Sequence, residues 1–262
     1  MYTISFNQSS IIKRLLLRLR MLPLFLAPNS RKRNGASKYL SDMRKFIEKG
    51  GEVTHIFPIL NEYKEQAGTA TGHYFHQDLL VASLIHDANP VRHIDVGSRI
   101  DGFVAHVAAF RTIEVLDVRP LLSCGHKQIK FMQADLMSLD SQQHEITDSL
   151  SCLHALEHFG LGRYGDSVDP EGHTKGYANL HKMLKPGGIL YVSFPIGKSS
   201  VYFNAHRVFE PHEILKWSNG LFHLERFDFV DDRGDLHQNQ SVENVPSVVY
   251  GCGIYSMKKI TI

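Results

Sequence analysis

Hydrophobic positions change their period several times along the chain, and each change marks an element. Tyr39, Leu40, Met43, Phe46 and Ile47 recur at helical spacing until Gly50 and Gly51 stop them. A Gly-Thr-Ala-Thr-Gly stretch at 68–72 precedes a second amphipathic run, Tyr74 to His86, closed by Asn89 and Pro90. Apolar, β-rich runs at 91–96, 112–118, 128–134, 147–153 and 188–194 then alternate with helical or loop segments, as in a parallel sheet wrapped by helices. Runs at 221–230 and 247–257 have no helix-length segment between them and are expected to pair antiparallel at one edge. The pattern predicts a doubly wound α/β fold: a seven-stranded, mostly parallel sheet with an antiparallel edge hairpin, preceded by N-terminal helices. Residues 91–262 would form that domain, 38–90 a helical lead-in and 1–37 an N-terminal arm. No internal repeat is visible, which sets repeat architectures aside.

The arm has its own pattern. At 100° per residue, Ile11, Ile12, Leu15, Leu16, Leu19 and Leu22 share one arc, opposite Lys13, Arg14, Arg18 and Arg20, although Leu17 and Met21 interrupt the polar face. Its longest uncharged run, Met21 to Ser30, contains Pro23 and Pro28 and is too short to span a bilayer. Charge sharpens the picture, because the first fifty residues carry eleven Lys/Arg against two acids, net +9, and leave the remainder at −7. A basic amphipathic arm on an acidic body fits peripheral contact with an anionic membrane through residues 10–26, at the cytoplasmic face. A helix packed on the domain and a signal peptide are the competing readings, the latter without a small-x-small cleavage site. Nucleic acid is not expected, since no aromatics interleave the basic residues. A chain of 262 residues, 43% hydrophobic and 21% charged, excludes wholesale disorder and a polytopic membrane protein. Cys124, Cys152 and Cys252 are odd in number, far apart and without C-x-x-C, so they specify neither a disulfide framework nor a metal set. Oligomeric state is left open.

Ligands of doubly wound sheets bind beyond the carboxyl ends of the strands, and those ends carry the informative residues. The first is followed by Asp95-Val96-Gly97-Ser98-Arg99-Ile100-Asp101-Gly102, a tight turn whose Gly97 lets backbone approach a ligand. The second ends at Asp117, placed to accept hydroxyl protons from a ribose, and the third at Ala134-Asp135-Leu136, an acid beside an apolar wall. A strand-tip Asp also serves as a helix cap, so none of these decides the matter alone.

Taken in order, Asp95-Val96-Gly97, Asp117, Ala134-Asp135-Leu136, Leu153-His154-Ala155-Leu156-Glu157-His158 and Leu184-Lys185-Pro186-Gly187-Gly188-Ile189-Leu190 resemble class I S-adenosylmethionine-dependent methyltransferases over roughly residues 74–257. His154 to Gly165, Asp169-Pro170-x-Gly172, Phe203 to Arg207 and Asp232-Arg233-Gly234-Asp235-Leu236 resemble, more narrowly, the family called domain of unknown function 268. That resemblance implies a Rossmann-like transferase with S-adenosylmethionine as cofactor, held by Asp95, Gly97, Ser98, Asp117, Asp135, Leu136 and His154. It also implies work in bacterial surface-polysaccharide biosynthesis, as an O-methyltransferase of a saccharide. Arg99 and Asp101 stand where the methyltransferase turn has glycines, so the guanidinium either blocks the cofactor or pairs with its carboxylate.

An acceptor hydroxyl needs a base at neutral pH, and His158 or His206, with Glu157 beside them, are the candidates. Arg163, Tyr164, Asp169, Asn204, Arg207 and Asp232 are candidate substrate contacts; Arg163 or Arg207 suits a sugar-linked phosphate. Two other classes compete. A catalytically degenerate scaffold at the membrane is motivated by Arg99 and Asp101. A zinc-dependent hydrolase is motivated by His154-x-x-Glu157-His158, an inverted H-x-x-E-H motif with His173 or His181 as third ligand, although His154 directly follows a β run rather than sitting on a helix. A nicotinamide dehydrogenase is excluded by the lack of G-x-G-x-x-G.

Overall fold

The computed structural model describes residues 30–138 and 141–261. Most of the basic arm, including the membrane contact expected at 10–26, lies outside the described residues. Among the described residues no helix is long and apolar enough to cross a membrane. The chain divides into two compact units between Thr69 and Ala70. In the first, helix α1 (Ser30–Glu48) runs through the boundary expected at 37–38 and ends where Gly50 takes a left-handed φ of 92°.

The second unit begins with α2 (His73–Ala88), so this helix lies with the sheet domain rather than with the lead-in. Asn89 stops it by adopting a left-handed φ of 42° while its N–H still bonds to Ile85 O. The strands follow as β1 (His93–Val96), β2 (Ile113–Asp117), β3 (Ile129–Gln133), β4 (Thr147–Leu153), β5 (Leu184–Ile196), β6 (Ser200–Tyr202), β7 (His206–Val208), β8 (Phe222–Val230), β9 (Leu236–His237) and β10 (Gly251–Lys259). Helices α3 (Ala105–Ala108), α4 (Gly172–Met183) and α5 (Glu213–Ser218) intervene.

The main sheet runs β3-β2-β1-β4-β5-β10-β8-β9, with β1 to β5 parallel and β10 antiparallel to both β5 and β8. The expected edge pair is present, but β10 inserts between β5 and β8, which brings its first residues beside the carboxyl end of β5: Gly251 faces Ile196 and Cys252 faces Pro195. The two-residue β9 makes an eighth strand, and β6 with β7 forms a separate hairpin; both are too short for a hydrophobic period to announce.

Each face of the sheet buries its own apolar set. On one, Tyr177, Leu180 and Met183 of α4 pack with Phe194, Phe227 and Tyr255. On the other, Val81, Ala82 and Ile85 of α2 join Phe103, Val107, Val115 and Ile254. Each such large side chain contributes about 1.5–3 kcal/mol by leaving water.

Polar side chains are buried in the sheet as well, and one of them is a histidine of β1. His93, 1% exposed, bridges Ser149 Oγ at 2.8 Å and Ser151 Oγ at 3.1 Å across to β4, and burial pushes its pKa down to about 3. Between its ordinary value of 6.5 and that one, the unfolded chain binds the proton and the folded chain does not, so stability falls as pH falls through this window. Urea unfolding of wild type and His93→Gln should therefore differ in slope, the variant losing stability less steeply from pH 6.5 towards pH 4; parallel slopes would contradict the assignment.

Candidate functional site

At the end of β1, Asp95 is wholly buried and accepts from Ser98 N at 3.1 Å, Ser98 Oγ at 2.7 Å and Ser151 Oγ at 2.5 Å. Burial pushes its carboxyl up to about 7 against the opposing effect of those hydrogen bonds. Asp95 thus braces the turn from below and does not line the cavity above it, correcting the expectation of a direct cofactor contact. Gly97 has φ +76°, and a Cβ there would stand 2.8 Å from that of Ala155, so only glycine lets the β1 and β4 turns meet. Arg99 is extended (φ −70°), needs no glycine, and borders the cavity with its guanidinium 6.0 Å from the centre of the Tyr74 ring. The side chain is 61% exposed and forks onto Asp101, with Nε–Oδ1 at 3.1 Å and Nη2–Oδ2 at 2.9 Å. The two substitutions satisfy each other in solvent and leave the space behind Gly97 open. Gly102 has its own reason, since a Cβ there would meet Asp78 Oδ2 at 2.9 Å.

That space is a cavity of about 490 Å³ over the carboxyl ends of β1 to β4. Of the residues expected to hold the cofactor, Gly97, Ser98, Asp117, Asp135, Leu136 and His154 line this cavity, together with Tyr74, Gln77 and Phe103. Asp117 is engaged: Arg119 donates Nε to Oδ1 at 2.9 Å and Nη2 to Oδ2 at 2.5 Å, with a further bond to Gly97 O at 3.2 Å. The same guanidinium lies 4.7 Å from the centre of the Tyr164 ring. Asp135 accepts from Met137 N at 2.9 Å, and so caps the turn after β3 while bordering the cavity.

Beyond β4 the chain turns sharply. His154 has φ 47°, unusual for a residue with a side chain, and its Nδ1 meets Glu157 Oε1 at 2.9 Å. Glu157, 1% exposed, also lies 3.7 Å from His158 Nε2, while His158 Nδ1 donates to Ala205 O at 2.6 Å. Burial lowers His154, but Cys252 and Glu157 beside it outweigh that and hold it well above its usual value. His158 is lowered, mainly by burial. His206 also borders the cavity, at its mouth against Tyr250, with ring centres 5.4 Å apart. The inverted zinc motif is corrected here. Both its imidazoles turn to the Glu157 carboxylate, His173 packs on Phe209 and Trp217, and His181 packs on Phe222.

The candidate substrate contacts divide. Arg163 and Tyr164 line the cavity, joined by Asp166, which accepts from the N–H groups of Gly160, Gly162 and Tyr164 and shapes their loop. Arg207 is a correction: 4% exposed, it donates to Phe159 O at 2.6 Å, Glu157 O at 3.4 Å and Pro170 O at 3.2 Å, stitching the same loop together. Asp169 pairs with Lys175 and accepts from Glu171 N, and Asn204 is an exposed turn residue at φ 61°; neither borders the cavity. Asp232 accepts from Val249 N and Tyr250 N, while Gly234 O accepts from Gly72 N and Thr71 Oγ1. The Asp232-to-Leu236 segment therefore anchors the start of α2 and of β10. Residues missed in the sequence are Arg119, His73, Gln77, Tyr250 and Cys252. Of these, only Gln77 left a signal, as a polar residue on the apolar face of α2.

Residues 126–243 match the family described as "Caenorhabditis protein of unknown function, DUF268". A search of curated protein sequences finds no match. Among solved structures, the [4+2]-cyclase SpnF is similar at a TM-score of 0.53 and 16% identity, over 90% of this chain and 98% of its own. The 1,6-didemethyltoxoflavin-N1-methyltransferase of Burkholderia thailandensis, solved with S-adenosylhomocysteine, gives 0.51 and 14%, over 90% and 93%. The YcgJ protein of Bacillus subtilis gives 0.51 and 11%, over 71% and 99%. The fold is thus the class I methyltransferase arrangement.

Arg207→Met should lower the unfolding free energy by about 2–4 kcal/mol, because three backbone carbonyls lose the buried guanidinium that gathers them. Urea denaturation checks this, and an unchanged midpoint would mean that the loop does not depend on the guanidinium.

Proposed function

We propose that the chain is an S-adenosylmethionine-dependent methyltransferase. The observation that carries this reading is the open cavity between Gly97, Asp117 and Leu136, which Arg99 borders without filling, its guanidinium paired with Asp101. The residues fit the cofactor: a glycine turn for its methionyl part, an acid for its ribose, an apolar wall for its adenine. Gly97 and Ser98 border the first, Asp117 accepts from the ribose hydroxyls once Arg119 has swung aside, and Asp135 with Leu136 faces the adenine. When bound, S-adenosylmethionine supplies an electrophilic methyl group on its sulfonium.

The acceptor in this reading is a saccharide hydroxyl, as in polysaccharide biosynthesis. The matched family's description names no substrate, so support comes from the rim, where Arg163, Tyr164, Asp166 and His206 offer charge, hydrogen bonds and an aromatic face. His158 is the preferred base. Its Nδ1 proton is committed to Ala205 O, which leaves Nε2 as the acceptor, and burial favours the neutral ring that a base requires. His206 is the alternative base at the mouth, and Glu157 positions His158. The basic arm at 10–26 supports a peripheral place on an anionic membrane for the same enzyme.

A second reading has one observation in its favour. Arg119 already satisfies Asp117, as it would in a degenerate fold that binds no cofactor and serves as a scaffold. Calorimetric titration with S-adenosylmethionine separates the two. Micromolar affinity, about −8 kcal/mol, is expected for wild type. Asp117→Ala should weaken it by at least about tenfold through loss of charged hydrogen bonds, and Arg119→Ala should tighten it. No heat at millimolar ligand in either wild type or Arg119→Ala would sink the enzymatic reading.

A further inference from the structure

The β10 insertion brings Cys252 to the same strand ends as His154, and α2 sets His73 over both. One donor atom from each of His73, His154 and Cys252 lies within 4.8 Å of the other two. His154 is 9% exposed, and its Nε2 has no hydrogen-bond partner; Cys252 is wholly buried. A buried ring nitrogen without a partner is costly, and here it faces two further soft or borderline donors. From these observations we propose that His73, His154 and Cys252 form a binding site for a zinc-type divalent cation.

Three features support a built site. His154 Nδ1 is fixed on Glu157 Oε1 at 2.9 Å, the carboxylate–histidine arrangement that leaves Nε2 as the ligand atom and orients the ring. The left-handed φ of 47° at His154 holds the ring in that orientation at a cost in backbone strain, as functional positions do. The donor set of one thiolate and two imidazoles suits zinc and its neighbours and not magnesium or calcium, which take oxygen ligands.

Occupation asks for a small closure. Tetrahedral zinc with these donors holds them about 3.3–3.6 Å apart, so they draw in by on the order of 1 Å. The His73 and His154 rings are stacked, with planes 6° apart, and one must tilt for a single ion to lie in both planes. His73 is the one placed to do so, being partly exposed and bordering both the cavity and the groove beside Asp232. Binding releases to solvent both the Cys252 thiol proton and the Nε2 proton of the His154 ring, which its neighbours otherwise hold charged. His73 and His154 line the cavity and Cys252 lies behind them, so the fourth coordination position opens towards the acceptor. A role for the ion in holding an acceptor oxygen rests on the methyl-transfer reading; metal binding itself does not.

Cobalt titration tests the site without any cofactor. Full-length protein stripped with a chelator should take up about one equivalent of Co²⁺, with a near-ultraviolet thiolate-to-metal band and tetrahedral d–d bands that Zn²⁺ abolishes. Cys252→Ser should lose the near-ultraviolet band, and Cys124→Ser, at the exposed cysteine, should keep it. Glu157→Gln, checked for folding by circular dichroism, should weaken metal affinity by about 10–100-fold, and His154→Gln by at least as much. No band in wild type at stoichiometric cobalt, or a band that survives Cys252→Ser, would overturn the proposal. Because S-adenosylmethionine is absent from this titration, a failure of the methyl-transfer reading would show in the calorimetry and leave the cobalt result untouched.

Discussion

Glu157, buried at the end of the fourth strand, is the group on which the site depends. A carboxylate taken out of water must be paired, and this one lies between His154, at 2.9 Å, and His158, at 3.7 Å. The pairing closes the turn after β4 in a left-handed conformation that the chain would otherwise avoid. With that turn closed, Ala155 comes against Gly97, His154 presents Nε2 to Cys252 and His73, and His158 turns to the cavity. Removing the carboxylate would leave His154 without its anchor and the junction of two strand ends without its reason to bend.

Around this turn the protein spends buried polar groups on scaffolding. Asp166 gathers three backbone N–H groups, Arg207 gathers three carbonyls, and Gly160 backs directly onto Gly172, where no side chain fits. Asp231 does the same after β8, accepting from Arg233 N, Asp235 N and His237, which holds its carboxyl down at about 2. These charged residues look like binding residues in a sequence because solvent-exposed charge and loop-organising charge are spelled alike. Only coordinates separate an arginine that reaches outwards, as Arg163 does, from one that folds inwards, as Arg207 does.

Much of the fold was legible because the strands carry short β-rich runs separated by helical or loop segments, and β4 begins and ends where its run does. The cavity-lining residues were legible for a related reason: strand ends put Gly97, Asp117 and Leu136 at one edge whatever the loops do. The strand order was not. Insertion of β10 between β5 and β8 depends on pairings distant in sequence, and it alone explains why Cys252 reaches His154. Arg99 misled in the opposite direction, since its partner Asp101 is two residues away and only the backbone direction decides that they meet in solvent. Arg119 was passed over although it stands two residues beyond the acid it engages.

The central claim is that the cavity over β1 to β4 receives an adenosyl cofactor despite two lost glycines and an arginine already on Asp117. A crystal structure of the protein grown with saturating S-adenosylhomocysteine tests it most directly. Ligand density between Gly97 and Leu136, with the ribose on Asp117 and Arg119 displaced, is the expected result. An empty cavity, with Arg119 still paired to Asp117, would contradict it.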